Sequence, residues 1–290
     1  MPEVERPTQI VELSTGPVEY RLDQRGAQTV LVLHGGHMRA SVPLGEEVFV
    51  EAGYTVLAPS RPGYGRTPLS TGTFPEKFAG VIAELCHHLG IERLAAVVGQ
   101  SAGGPTALVL ASTHASLVER LILESAVGFL AWPDRRTRLG GHLVFGARTQ
   151  QRTWTLMRAL LRRRPQMALR LLLRDLTTLP VDQIVNALTP EHRALLLALF
   201  SHMDSGAGFA ADLRAMAHPD RRRPTITQPT LVIASPEDGA VPFAHARSLT
   251  EAIPTARLVT SRAPSHFIWL GPDYPAIATA ITEFLQDDVN

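Results

Sequence analysis

A serine between two glycines is the first group in this sequence that could do chemistry. Ser101 lies in AAVVGQSAGGPTALVLAS, residues 95–112, with Gly99 two positions before it and Gly103 two positions after it. Glycines there let backbone segments approach closely, so the serine can occupy a strained strand-to-helix turn with its hydroxyl raised. The pattern predicts that Ser101 is a nucleophile. The alternative is a glycine-rich helix entry with a bystander serine.

A serine hydroxyl is a weak nucleophile at neutral pH, so it requires a base and an acid that orients the base. Asp238 follows the apolar run TLVIAS, and His266 follows the run ARLVTS. Both would lie at the carboxyl ends of strands, where open α/β sheets place their sites. The chain order serine, aspartate, histidine is the order expected in this architecture. We therefore predict Ser101, Asp238 and His266 as the catalytic residues.

The elements that must position these residues alternate along the chain. TQIVEL and PVEYRLD alternate in the manner of strands and predict an opening β-hairpin. Short continuous apolar runs, typical of strands buried on both faces, lie at 29–36, 54–60, 93–99, 120–126 and 229–235. Residues 78–89 have the spacing of an amphipathic helix that Gly90 ends. Together they predict a mostly parallel, helix-covered sheet.

From about residue 128 to residue 215 helical patterns replace this alternation. RTWTLMRALLRR is one, and TPEHRALLLALF is another, with Thr189 as N-cap and Pro190 at the first helical position. The predicted organisation is therefore a core domain of residues 1–127 and 216–290, interrupted by an all-helical insertion of residues 128–215.

Composition excludes several classes of protein. The chain has 290 residues, of which 45% are hydrophobic and 19% charged, as in a globular enzyme or binding protein. We found no secretory signal and no apolar stretch long enough to span a membrane, so we predict a cytoplasmic protein without an integral membrane segment. The single cysteine, Cys86, excludes an internal disulfide and a cysteine-based metal cluster.

No motif predicts a metal, a cofactor or a nucleic acid partner. His87 and His88 are adjacent on a predicted helix and point in different directions, and no glycine-rich turn matches a phosphate or dinucleotide loop. Residues 130–175 carry eleven arginines and two aspartates, a local charge of +9 in a chain of net charge +1. They could attract an anionic substrate, a membrane surface or an acidic partner, or form solvated helix faces.

Five motifs, taken in order, resemble those of the α/β-hydrolase fold superfamily. They are HGG (34–36), SRPGYGRT (60–67), GQSAGG (99–104), PEDGAVP (236–242) and PSHFIWLG (264–271). The resemblance covers nearly the whole chain and implies an α/β fold: a mostly parallel eight-stranded sheet flanked by helices, with an all-helical cap inserted after the sixth strand. By motif position it makes Ser101 the nucleophile, Asp238 the acid and His266 the base.

The resemblance also implies an oxyanion hole. In such enzymes the backbone N–H groups of Gly36, after His-Gly, and of Ala102, after the nucleophile, would hold the oxyanion; losing one such donor costs about 10²- to 10³-fold in rate. His34 is expected to support this loop. HGGHM differs from the HGGPG of proline iminopeptidases, which argues against peptidase activity. Haloalkane dehalogenases and epoxide hydrolases have an aspartate at the position of Ser101, which argues against those two activities.

Two other carboxylates could supply the acid. Glu237 neighbours Asp238, although the spacing from Asp238 to Pro242 matches the family's acid loop. Glu124 ends the sixth strand, from which some relatives draw their acid, but we favour its interpretation as a polar residue at a strand end.

His37, Trp154 and Met157 are the predicted substrate-binding residues. His37 could line the pocket or face water. Trp154 and Met157 could line an acyl pocket beneath the cap, or pack the cap onto the sheet.

These residues predict a serine hydrolase that cleaves a small or medium carboxylic ester through an acyl-enzyme. The substrate would be a small acyl compound, no cofactor would be needed, and the oligomeric state is left open. The same triad could cleave a carbon–carbon bond in a β-diketone or ring-fission product. A third hypothesis is a non-catalytic ligand receptor on the same fold, whose ligand binding would survive Ser101→Ala.

Overall fold

The computed structural model describes residues 5–133, 149–217 and 224–287. Its eight strands form one sheet in the order β1-β2-β4-β3-β5-β6-β7-β8. The strands are β1 (Gln9–Leu13), β2 (Gly16–Asp23), β3 (Thr29–Leu33), β4 (Thr55–Pro59), β5 (Leu94–Gln100), β6 (Leu121–Glu124), β7 (Thr230–Ala234) and β8 (Ala256–Thr260). β1 and β2 form an antiparallel hairpin, β2 is antiparallel to β4, and the other pairs are parallel. The predicted α/β fold class and opening hairpin are confirmed.

Helices cover both faces of this sheet. They are α1 (Glu47–Glu51), α2 (Pro75–His88), α3 (Gly104–Thr113), α4 (Gln150–Arg163), α5 (Pro165–Leu173), α6 (Val181–Ala187), α7 (Pro190–His202), α8 (Gly208–Ala215), α9 (Ala244–Ala252) and α10 (Tyr274–Gln286). Alternate residues of β3 enter different hydrophobic clusters, because successive side chains of a strand point to opposite faces. Val30 and Val32 join one cluster with α10, and Leu31 and Leu33 join another with α2 and α3.

Helices α4 to α8 follow one another between β6 and β7, with no strand in the described part of that segment. Thr189 caps α7, since its Oγ1 accepts a hydrogen bond of 3.1 Å from the backbone N–H of His192. This confirms the predicted N-cap. Residues 134–148 of the predicted insertion, which carry four of its arginines, and residues 218–223 lie outside the described residues. No helix among the described residues is long and apolar enough to cross a membrane.

Candidate active site

Ser101 lies in a sharp turn between β5 and α3. Its φ is +49°, in the left-handed region that non-glycine residues rarely adopt. A short 3₁₀ helix, Ser101–Gly103, joins the strand to α3. A conformation of this kind costs about 1 to 3 kcal/mol and persists only where surrounding structure holds it. The strained strand-to-helix turn predicted from the sequence is therefore present.

Close packing explains why glycines flank the serine. A Cβ at Gly103 would lie 2.1 Å from the carbonyl oxygen of Leu33, and a Cβ at Gly99 would lie 2.8 Å from the Cβ of Ala107. Strand β3 and helix α3 thus close on the turn from two sides. The serine itself is half-buried.

Asp238 and His266 form a buried pair at the carboxyl ends of β7 and β8. His266 Nδ1 lies 2.7 Å from Asp238 Oδ2, and the two side chains are 9% and 0% exposed. The other carboxylate oxygen accepts the backbone N–H groups of Ala240 and Val241, each at 2.8 Å. Because Nδ1 faces a carboxylate it carries the proton in the neutral ring, which leaves Nε2 as the acceptor that a general base needs.

The loop after β6 connects the serine turn with the histidine loop. Val127 N–H donates to the carbonyl oxygen of Ser101 at 2.9 Å, and Ser125 Oγ donates to the carbonyl oxygen of His266 at 3.0 Å. Within the part of the chain that the structure describes, no hydrogen bond joins the Ser101 side chain to His266 directly. Ser125 could not be singled out from the sequence, because its only signal there is its place directly after a buried strand.

The loop after β3 lies against the serine. A Cβ at Gly35 would lie 3.0 Å from Ser101 Cβ and 3.6 Å from its Oγ. The neighbouring Gly36 N–H donates no hydrogen bond to any described residue. Ala102 is buried as the second residue of the 3₁₀ helix, where backbone N–H groups have no intrahelical partner. Gly36 therefore follows the residue that lies against Ser101, and Ala102 follows Ser101 directly.

His34 holds this loop, as expected. Its Nε2 accepts the backbone N–H of Arg61 at 2.9 Å, so the proton resides on Nδ1, which donates to the carbonyl oxygen of Gly35 at 2.7 Å. Burial and the Arg61 guanidinium lower the pKa of His34 well below 6.5. The imidazole is therefore neutral and serves as a fixed support.

The structure brings His37 and Trp154 together. The His37 ring is 3.9 Å from that of Phe209 and 5.4 Å from that of Trp154 between centroids. Ser205 Oγ lies 2.8 Å from His37 Nδ1 and accepts Trp154 Nε1–H at 2.7 Å. Burial lowers the pKa of His37 to about 3, so the ring is neutral. Met157 is partly buried against the hydrophobic cluster that contains Trp154.

Neither alternative carboxylate is bonded to the histidine in the described contacts. Glu124 is fully buried and accepts Gln100 Nε2–H at 3.1 Å. Glu237 accepts a hydrogen bond from Thr178 Oγ1. Of the three carboxylates, Asp238 is the one paired with His266. Residues 5–133, 149–217 and 224–287 contain no group of three or more His, Cys, Asp or Glu side chains that could hold a metal ion.

The fold and this site define an α/β protein with a strained serine turn and an Asp–His pair at the carboxyl edge of its sheet. Comparison with known proteins agrees with that class. The family described as alpha/beta hydrolase fold matches residues 28–271. The chain therefore belongs to the α/β-hydrolase fold family and is a hydrolase of that fold.

Three similar proteins illustrate the range of this family. The uncharacterized hydrolase YcgS of Bacillus subtilis (strain 168) is 30% identical over 286 residues, which is 98% of this chain and 100% of that protein. A 2-hydroxy-6-oxononadienedioate/2-hydroxy-6-oxononatrienedioate hydrolase of Pseudomonas sp is 26% identical over 250 residues, 80% of this chain and 79% of its own. An alpha/beta hydrolase fold protein from Nakamurella multipartita superposes with a TM-score of 0.77 at 25% identity, covering 97% of this chain and 99% of that one.

Proposed function

We propose that this hydrolase cleaves a small or medium carboxylic ester through an acyl-enzyme formed on Ser101. The observation that carries the proposal is the left-handed φ of +49° at Ser101, on the same sheet edge as the buried Asp238–His266 pair. A strained serine needs a functional reason, and an aspartate-oriented imidazole supplies the base that a serine nucleophile requires.

The proposed reaction proceeds in two stages. His266 Nε2 takes the proton of Ser101 Oγ as the oxygen attacks the acyl carbon, and the Gly36 and Ala102 N–H groups hold the oxyanion. His266 then gives the proton to the departing alcohol. In the second stage it takes a proton from water, which attacks the acyl-enzyme, and it returns that proton to Ser101 Oγ as the bond to the acyl carbon breaks and the acid leaves. Asp238 stabilises the imidazolium in both stages.

The residues around His37 suit an uncharged acyl group. His37, Trp154 and Met157 are the proposed substrate-binding residues, on the oxyanion loop and on α4. The imidazole is neutral because burial lowers its pKa to about 3, and the indole N–H is already bonded to Ser205. We assign residues 128–215 to the cap over this site. The predictions of a cytoplasmic location and of no cofactor stay predictions.

Carbon–carbon bond hydrolysis of a ring-fission product is the second candidate. The Pseudomonas relative, 26% identical over 80% of this chain, is named for the hydrolysis of 2-hydroxy-6-oxo dienedioate and trienedioate compounds. The same serine, base and oxyanion donors would act on the 6-oxo carbon. Turnover of a 2-hydroxy-6-oxo-dienoate with no turnover of p-nitrophenyl esters would favour this candidate over the first.

Labelling with a fluorophosphonate, read by intact mass, tests the nucleophile. We expect one adduct on the wild type, none on Ser101→Ala, and slow labelling of His266→Ala. Asp238→Asn should lower kcat on p-nitrophenyl esters by about 10⁴-fold: its oxygen stays on the Ala240 and Val241 N–H groups, so its amide N–H₂ faces Nδ1 and the ring proton moves to Nε2. Glu237→Gln is the matched control, since this neighbouring carboxylate is bonded to Thr178 instead.

Two outcomes would contradict the proposal. A folded wild type that forms no adduct and turns over neither substrate class would favour the hypothesis of a non-catalytic ligand receptor. An adduct that persists on Ser101→Ala would place the nucleophile elsewhere.

A further inference from the structure

A buried ion pair joins the loop after β4 to helix α8. Arg61 Nη1 and Nη2 donate to the two carboxylate oxygens of Asp212 at 2.9 and 2.8 Å. The side chains of Arg61 and Asp212 are only 4% and 12% exposed. Parallel double hydrogen bonds fix the plane of a guanidinium as well as its position. Helix α8 therefore holds the Arg61 side chain in one orientation.

The same arginine is bound to the oxyanion loop. Arg61 Nε donates to the carbonyl oxygen of His34 at 2.8 Å, and its backbone N–H donates to His34 Nε2 at 2.9 Å. One guanidinium thus connects the Asp212 carboxylate to the main chain two residues before Gly36.

Tyr64 completes the connection. Its hydroxyl donates to Asp212 Oδ2 at 2.6 Å, and its ring lies edge-on to His34 with 5.1 Å between centroids. Burial and the Asp212 carboxylate raise the pKa of Tyr64, so the hydroxyl stays a donor. Helix α8 also touches the loop directly, since a Cβ at Gly36 would lie 3.0 Å from Phe209 Cδ2 and 3.9 Å from the Tyr64 hydroxyl.

We infer that Arg61 and Asp212 are positioning residues for the Gly36 N–H, and that their ion pair makes helix α8 part of the support of the oxyanion hole. This inference rests on the proposed function, in which that N–H binds the oxyanion. Without the carboxylate the guanidinium would be a buried, unpaired charge and would leave the His34 carbonyl. The donor would then lose alignment with an oxygen that becomes negative only in the transition state.

Asp212→Asn tests this role, because it removes the charge and nearly keeps the shape. Kinetics on a p-nitrophenyl ester are compared with inhibition by an alkyl trifluoromethyl ketone, which adds to serine and forms an oxyanion. We expect kcat to fall about 10- to 100-fold, KM to change less than about threefold, and the inhibition constant of the ketone to rise by the same factor as kcat/KM falls. All values are expressed per active site titrated with a fluorophosphonate.

The titration separates positioning from folding. A residue that only stabilises the fold would lower the number of active sites and leave kcat per site and ketone affinity unchanged. Glu119→Gln is the control: this carboxylate pairs with Arg93 and with the buried Arg120, and it lies at the amino ends of β5 and β6, where its N–H donates to the carbonyl oxygen of Leu94. It should lower the Tm without changing either constant.

Three further outcomes decide the inference. Unchanged kcat and ketone affinity per site in Asp212→Asn, with a labelled and active wild type, overturn the ion pair's role alone. A wild type with neither adduct nor turnover overturns the proposed function and this inference together. If Asp212→Asn does not fold, Tyr64→Phe decides: a joint loss of about three- to tenfold in kcat and ketone affinity supports the inference, and no loss overturns it.

Discussion

Glu124 is a carboxyl group that the fold keeps neutral. It ends β6 fully buried, with Oε2 accepting from Gln100 and with no hydrogen-bond partner for Oε1 among the described residues. Burial, assisted by Glu46 and Glu47, raises its pKa from the ordinary 4.5 to about 8. The folded protein therefore holds a proton at pH 7 that the unfolded chain releases.

The pH dependence follows from this difference. Below pH 4.5 the carboxyl group is protonated in both the folded and the unfolded state, and the protein keeps its full stability in this respect. As the pH rises from 4.5 to about 8, the unfolded chain releases the proton while the folded protein keeps it, so the free energy of unfolding falls. Between these values the free energy of unfolding falls by about 1.4 kcal/mol per pH unit on account of Glu124, or about 3 kcal/mol from pH 5.5 to 7.5. Glu124→Gln fills the same space and does not titrate. Its stability relative to the wild type should rise by about that amount over the same range.

Urea unfolding of both proteins at pH 5.5, 6.5 and 7.5 measures this difference. Glu76→Gln, at an exposed position on α2, controls for the loss of one carboxylate. A difference between Glu124→Gln and the wild type that is constant over the three pH values would refute the reasoning, because it would mean that Glu124 is ionised in the folded protein.

Three further tests concern the packing at Gly103 and Gly80, the cap of α7 and the burial of Cys86. Gly103→Ala places a Cβ 2.1 Å from a carbonyl oxygen of β3, so it should lower the Tm and abolish serine labelling. Gly80→Ala on α2, where the Cβ meets nothing within 4 Å, should instead stabilise the protein by about 1 kcal/mol. Thermal unfolding that does not rank Gly80→Ala above Gly103→Ala would contradict this packing. Thr189→Ala should lose about 1 kcal/mol in urea unfolding, since a backbone N–H of α7 loses its cap, and no loss would argue against the cap. Burial raises the pKa of Cys86 to about 12, so Ellman's reagent should react with it only after unfolding; fast reaction in the native protein would contradict its burial.

The sheet could be predicted from the sequence because strands buried on both faces need apolar residues at nearly every position. All five residues of β3, β4 and β7 are buried, and each strand lies within one of the continuous apolar runs. Helix α2 could also be predicted, since the side chains that it buries recur at helical spacing. The order of these elements along the chain and the right-handedness of the crossovers between parallel strands then leave few possible topologies.

The site divides between residues that carry a local signal and residues that do not. Ser101 can be recognised from the sequence because its turn cannot form unless Gly99 and Gly103 lack side chains. The turn therefore requires glycine at two positions close to the serine in the sequence. Asp212 requires no particular residue types at neighbouring positions. It is one aspartate on an amphipathic helix, and its partner Arg61 is 151 residues away in the chain.

Helical periodicity identifies the buried face of a helix such as α8 but not what that face meets. Its contact with the loop after β3 depends on how the segment between β6 and β7 returns to the sheet, and no local rule of sequence encodes that path. The same reasoning applies to the contacts of His37. Trp154 on α4 and Ser205 before α8, 51 positions apart in the chain, meet His37 through long-range packing. A site that requires glycines and strand ends can be inferred from sequence, whereas contacts such as those of His37 depend on the folded segment between β6 and β7.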